Sequence, residues 1–344
     1  MINFEPNVIQ PMSWVKLEAE FSLQEFEGQH WICVPRPFIP EGKKYVARDR
    51  GPELLEEVCG FLGAFAVGRP FNIRDPKTWE QLSPEEIISS ALRFTQEFGL
   101  LRDLNGEKRT RQNPQGVVDF GEFLGIYKVQ DWADSLYELR AALRLVKLLC
   151  RVLKSPGRKT ARLLDKELAA RFQLIESRGY PEVRFLYERP QLGQNLEQAS
   201  NFWETELLFH GRFRGSRDNP NVLVWAQSRE LETLARFAVA FMAERKLNGE
   251  ISLSFAPTLS PSSEHTGFFP SFRANSLEGE LWLTLSESLT SMKSLGICEN
   301  PECGKLYQRV RTGKGKTSQR HCSDECYERN RYLRKKETAR AKKT

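Results

Sequence analysis

Four cysteines near the C-terminus constrain this chain more than any other feature. Cys298, Cys303, Cys322 and Cys326 follow the pattern C-x4-C-x18-C-x3-C, two close pairs separated by a basic loop. Two short-spaced pairs allow four thiolates to converge tetrahedrally on a single ion, with zinc–sulfur bonds of about 2.3 Å. No basic, apolar leader opens the sequence, so a reducing compartment is expected and disulfides are not. The other three cysteines, Cys33, Cys59 and Cys150, sit among apolar neighbours and read as small buried hydrophobes.

Energetics point the same way. After Cys298 the clearly apolar side chains are Leu306, Tyr307, Val310, Tyr327, Tyr332 and Leu333. So short a segment cannot hold a fold with so little to bury, and a structural metal supplies the missing free energy. The expected consequence is that chelation unfolds this tail and leaves the body intact. Local chemistry fits a knuckle at Pro301-Glu302-Cys303-Gly304-Lys305 and a helix start at Cys322-Ser323-Asp324-Glu325-Cys326. Ser323 serves there as N-cap, with acids in the first turn. Knuckle, hairpin and ligand-bearing helix together make a treble-clef-like zinc finger with one structural Zn2+. His321 is expected beside the site rather than as a ligand.

Charge falls on the same segment. The chain carries 51 Lys and Arg against 45 Asp and Glu, but residues 298–344 hold 14 basic groups against six acidic ones. The remaining 297 residues are nearly neutral, at 37 against 39. The net positive charge therefore belongs to the finger, which expects a polyanion. Arg320, Arg329, Asn330, Arg331, Arg334 and Lys335 are the candidate nucleic-acid contacts. Arg331, Arg334 and Lys335 share one helical face, and Asn330, Arg331 and Arg334 can read base edges in a major groove. Arg311, Lys314 and Lys316 add charge in the connecting loop. Thr312-Gly313-Lys314-Gly315-Lys316-Thr317 is not a nucleotide loop, because Val310 stands where the first glycine belongs.

The run Cys298-Glu-Asn-Pro-Glu-Cys303-Gly304, then Arg320-His321-Cys322-Ser323 and Cys326 into Asn330-Arg331, resembles the CGNR zinc-finger family of bacteria. After Cys326 the chain reads Tyr327-Glu328-Arg329-Asn330-Arg331 in place of Gly-Asn-Arg. The resemblance covers residues 295–335, with fainter echoes at 139–143 and 279–295. It implies a stress-induced transcriptional regulator in which an α/β domain, ABATE, precedes the finger.

The body, residues 51–294, reads as mostly helical with a small sheet, and residues 1–50 as an N-terminal extension or subdomain. Ser83-Pro84-Glu85-Glu86 is a complete helix start, followed by a buried stripe of Ile87, Ala91, Phe94, Phe98 and Leu101. Helices are also expected over 54–66, 120–153, 160–176, 195–209, 230–247 and 281–295. In the 120–153 helix, Leu136, Leu139, Leu143, Val146 and Leu149 form the core stripe. Strands are expected at 31–35, 222–226 and around Ile251, Leu253 and Phe255; residues 103–115 and 257–266 read as loops.

No nucleophile motif, HExxH or dinucleotide fingerprint appears. Glu206 and His210, four apart on an expected helix with Glu204 nearby, are the sole hint of a catalytic site in the body. The fold class expected is thus α+β with a C-terminal zinc finger from 295 to 344. The function expected is that of a cytoplasmic DNA-binding regulator whose body senses a small ligand or forms a homodimer, with DNA favoured over RNA and no membrane partner. RNA binding, a protein adaptor, and an enzyme sited in the body are the alternatives.

Overall fold

The computed structural model describes residues 12–17, 20–35, 43–48, 52–62, 82–101, 118–119, 121–154, 166–177, 180–188, 192, 203–210, 228–248, 250–257, 268–290, 295–300, 303–309 and 320–341. The loops expected at 103–115 and 257–266 fall largely outside them, and the strand expected at 222–226 wholly so.

Four strands come first: β1 (Met12–Leu17), β2 (Ser22–Phe26), β3 (Gln29–Pro35) and β4 (Lys43–Arg48). β1 pairs antiparallel with β4 and β2 with β3. Glu27 and Gly28 close the β2–β3 turn, both at positive φ (51° and 72°). Among the described residues, helices α1 (Pro52–Gly60) and α2 (Pro84–Phe98) follow. Helix α1 ends at Gly60, earlier than its apolar run, where glycine's backbone freedom disfavours helix.

Helix α2 forms as its caps dictate. Glu86 N donates to Ser83 Oγ at 3.2 Å and Ser83 N to Glu86 Oε2 at 2.8 Å, with Pro84 in the first turn. Ile87, Ala91, Phe94 and Phe98 are fully buried and Leu101 nearly so. Phe94 stacks on Phe98 with centroids 5.2 Å apart and meets Trp132 edge-on at 5.7 Å.

The segment expected as one helix over 120–153 is instead strand β6 (Phe123–Lys128) leading straight into helix α3 (Val129–Lys154). Short β5 (Val118–Asp119) precedes it, and the second sheet runs β2-β3-β6-β5. Gly125 and the aromatic residues Phe123 and Tyr127 weaken helix locally, and β3 offers a partner strand. Residues 29–35 thereby share a sheet with the strand that enters α3.

Helix α3 runs through the middle of the protein, buried at every position from Ser135 to Cys150. Leu136, Leu139, Leu143, Val146 and Leu149 form the expected core stripe, and Cys33, Cys59 and Cys150 are all fully buried. Burial pushes the Cys33 thiol up to about 11 and the Cys59 thiol up to about 12, so both stay protonated. The charged positions of α3 find partners. Arg144 Nη2 lies 3.0 Å from Glu167 Oε1, Arg140 Nη1 donates to the carbonyl of Leu62 at 2.6 Å, and Lys147 Nζ lies 2.7 Å from Glu56 Oε1.

Two further expectations are corrected. Residues 160–176 are not one helix: a short turn of helix at 166–169 gives way to strand β7 (Phe172–Ser177). Residues 195–209 end in strand β9 (Trp203–His210), and between them lies β8 (Tyr180–Glu188). The three form an antiparallel sheet in the order β7-β8-β9. Each strand draws its stability from a partner that local periodicity does not record.

Helix α4 (Ser228–Leu247) forms as expected, as does strand β10 (Ile251–Pro257), which pairs with β11 (Phe268–Ala274). Helix α5 (Leu277–Thr290) starts and stops earlier than its apolar run and buries Trp282 completely. Lys246 of α4 bridges Glu138 of α3 (2.8 Å) and Glu278 of α5 (3.2 Å), and Arg245 also pairs with Glu138. The last elements are β12 (Leu295–Ile297), β13 (Leu306–Gln308) and α6 (Asp324–Ala341). The whole is a mixture of helices and small antiparallel sheets with a four-cysteine group at its C-terminal end. Among the described residues no helix is long and apolar enough to cross a membrane.

Candidate metal centre and basic helix

Strands β12 and β13 pair antiparallel, and the reach between them carries the first two cysteines. Cys298 N donates to Lys305 O at 2.9 Å, extending the hairpin by one rung. Cys303 N and Gly304 N both donate to Asn300 O, at 3.0 and 3.1 Å, which folds the knuckle. Gly304 takes φ 58°, a conformation glycine adopts without the steric cost of a Cβ. Asn300 is itself buried, so the knuckle is anchored rather than looped out.

The other pair sits at the start of α6. Cys326 N donates to Ser323 Oγ at 3.3 Å, the N-cap expected from the sequence. Cys322 lies just before this cap and Cys326 in the first turn. All four sulfurs lie within 4.8 Å of one another; Cys322 Sγ is 3.6 Å from Cys303 Sγ and 3.5 Å from Cys326 Sγ. This group is fit to hold one metal ion.

Its electrostatics favour a cation. Burial pushes the Cys303 thiol up to about 11 and raises Cys322 further, with the neighbouring sulfurs adding to the rise at Cys322. Burial also raises Cys326, but hydrogen bonds led by Ser323 outweigh it and bring that thiol below its usual value. Thiols packed this closely resist losing protons together unless a cation sits among them. Metal loading at neutral pH is therefore expected to release at least two protons, those of Cys303 and Cys322. Calorimetry in buffers of different ionisation enthalpy measures that number, and affinity should rise with pH.

His321 stands outside the thiol group. Asn330 Nδ2 and His321 Nε2 are 2.8 Å apart, and the imidazole meets Tyr327 edge-on with centroids separated by 5.5 Å. Asn330 is only 5% exposed. It thus braces α6 against the segment that leads into Cys322, and it offers the groove far less surface than the exposed basic candidates do. The other candidates, Arg320, Arg329, Arg331, Arg334 and Lys335, are all exposed.

Two acidic residues temper this basic surface. Glu299 Oε2 lies 3.5 Å from Arg334 Nη2, and Glu299 Oε1 lies 3.9 Å from Arg320 Nε. Glu328 lies 3.7 Å from Arg331. Exposed pairs like these are weak, worth about 0–1 kcal/mol, so a stronger anion displaces them readily. His321, Tyr327, Asn330, Arg331, Arg334 and Lys335 line an open groove of about 530 Å³ that reaches Thr338. The loop cations Arg311, Lys314 and Lys316 lie outside the described residues.

The hairpin is not a separate appendage. Leu295 and Leu306 belong to the main hydrophobic core, and Tyr307 is 2% exposed. A Cβ on Gly296 would lie 2.3 Å from Tyr307 Cζ, so only glycine lets that ring lie across β12. Leu306 N donates to Glu56 Oε1 at 2.7 Å, and the same carboxylate pairs with Lys147. Glu56 thus joins α1, α3 and β13. Nothing in the sequence marks it, since it and Leu306 are 250 positions apart.

Among the described residues the body shows no comparable assembly. Glu204, Glu206 and His210 lie on β9, a strand, where residues four apart are about 13 Å distant along the chain rather than one helical turn. Their β8 partners are Tyr187, Phe185 and Glu182. Compared with protein-family models, with curated proteins and with solved structures, the chain matches none of them.

Proposed function

We propose that the chain is a zinc-dependent nucleic-acid-binding protein, a cytoplasmic regulator of transcription that takes DNA ahead of RNA. Cys298, Cys303, Cys322 and Cys326 hold one structural Zn2+ in a treble-clef arrangement of knuckle, hairpin and helix. The donor set of four thiols suits zinc. The sulfur separations of 3.5 and 3.6 Å support this, since a tetrahedron with zinc–sulfur bonds of about 2.3 Å has an edge of about 3.8 Å. When bound, the ion supplies folding free energy and fixes the start of α6; it performs no chemistry.

One observation carries the nucleic-acid reading. An exposed face bearing Arg331, Arg334 and Lys335 rises directly from the thiol group, next to exposed Arg320. Helix α6 is polar on almost every side, so its basic residues stand in solvent, where a polyanion can reach them. The resemblance of residues 295–335 to the CGNR finger points the same way. The body then senses a signal or pairs two copies, and binding rather than catalysis is its contribution.

Replacing Arg331 and Arg334 by Ala tests the face. Affinity for a DNA oligonucleotide should fall, and the slope of log K against log salt should flatten by about 0.9 for each phosphate that is no longer neutralised. Metal content should be unchanged. Undiminished affinity would place the binding face elsewhere, and salt-insensitive binding to a protein would favour an adaptor.

A further inference from the structure

The groove on α6 is more than a row of charges. Its lining residues on the helix, Tyr327, Asn330, Arg331, Arg334, Lys335 and Thr338, fall at the spacing of one continuous face, about 16 Å long. One end is aromatic and the rest is cationic. Tyr327 is 51% exposed, and the neighbouring His321 ring stands at 73° to it with centroids 5.5 Å apart. The Asn330 contact and the metal loop hold that imidazole in place.

We infer that this face binds single-stranded nucleic acid, with an unpaired base stacked on Tyr327 and the adjoining phosphates on Arg331, Arg334 and Lys335. The inference rests on the nucleic-acid reading above and specifies the form of polymer the groove takes.

Two observations separate a single strand from a duplex. An exposed ring set beside cations gains little from paired DNA, whose base faces are stacked inside the helix and whose edges alone are presented. A single strand offers its π-faces, and aromatic platforms alongside a basic track are how such strands are held. Second, the one amide of this face, that of Asn330, is buried and engaged with His321, which takes away the adenine-reading contact and leaves arginines that serve phosphates as well as bases. What remains on the face is a stacking surface and cations, which suit unpaired strands of any sequence. DNA and RNA strands share this chemistry.

The test uses the full-length, metal-loaded chain. Its affinity is measured by salt titration for a labelled 20-nucleotide DNA strand, the RNA strand of the same sequence, and the matching DNA duplex. At least one strand should bind about tenfold or more tightly than the duplex, and the comparison of DNA with RNA identifies the polymer. Tyr327→Ala should weaken strand binding about tenfold while leaving the salt slope unchanged, because no charge is removed. Tyr327→Phe keeps the ring and should bind as the parent does. Tyr332→Ala removes a comparably exposed ring that lies outside the groove, against Arg329, and should weaken strand binding far less than Tyr327→Ala does. Duplex bound as well as or better than either strand, or equal loss from Tyr327→Ala and Tyr327→Phe, would overturn the stacking inference while the nucleic-acid reading stands. Failure of every polymer to bind in a salt-dependent way would overturn both.

Discussion

Cys322→Ser is expected to abolish metal retention and unfold residues 295–341 as a unit. Cys322 is the central sulfur of the group, 3.6 Å from Cys303 and 3.5 Å from Cys326. Structural zinc in finger peptides contributes about 10–16 kcal/mol, far more than the sparse apolar packing of this segment can replace. Serine does not substitute, because its hydroxyl is not ionised at neutral pH and oxygen is a poor match for a sulfur-rich site. The consequence should extend beyond the finger. Leu295, Leu306 and Tyr307 are buried with the body, so a molten hairpin exposes apolar surface on both sides of that junction. Metal loss should therefore lower the thermal midpoint of the whole chain, contrary to the expectation from sequence that the body would be indifferent. Metal analysis and a thermal scan of the variant measure both effects. A body transition unmoved by verified metal loss would show that the hairpin's packing on the body contributes nothing.

Glu56→Ala is the second large effect. Its carboxylate, 7% exposed, neutralises Lys147 and accepts the Leu306 N–H. Lys147 is 1% exposed, on the fully enclosed part of α3. Removing one partner of a buried pair weakens the compensation of the other's charge, which costs up to about 3–5 kcal/mol. The unsatisfied Leu306 N–H adds about 1–3 kcal/mol. Denaturant unfolding should report a loss of this order, with a weaker hold on the metal because β13 loses its tether. Adding Lys147→Met removes the buried ammonium as well and should recover part of the loss, while Lys147→Met alone should be costly. A loss under about 1 kcal/mol in Glu56→Ala would mean that water reaches the pair.

Those two effects also mark where sequence and structure part. The thiol group was legible because its ligands are close in sequence and chemically uncommon; Gly304 and Ser323 announced the knuckle and the cap. Helix α2 was legible for the same reason, since Ser83, Pro84 and Glu86 specify its start within four residues. Strands β6, β7 and β9 were not. Each follows or interrupts a run that carries apolar residues at helical spacing, and each is stabilised by a strand it meets only in the fold. Glu56 was invisible because a glutamate on an amphipathic helix ordinarily faces water. The burial of Asn330 was not legible, because spacing alone puts it beside Arg331, whereas its contact with His321 comes from the fold.

If metal, fold and ligand binding form one system, DNA and RNA affinity across a salt series before and after metal removal tests it most directly. The prediction is one zinc per chain and, if about six phosphates are neutralised, a slope near −5 on a duplex or about −4 on a single strand. Binding should be lost on chelation and restored by stoichiometric zinc. A metal-free chain that binds nucleic acid with the same affinity and slope would contradict it.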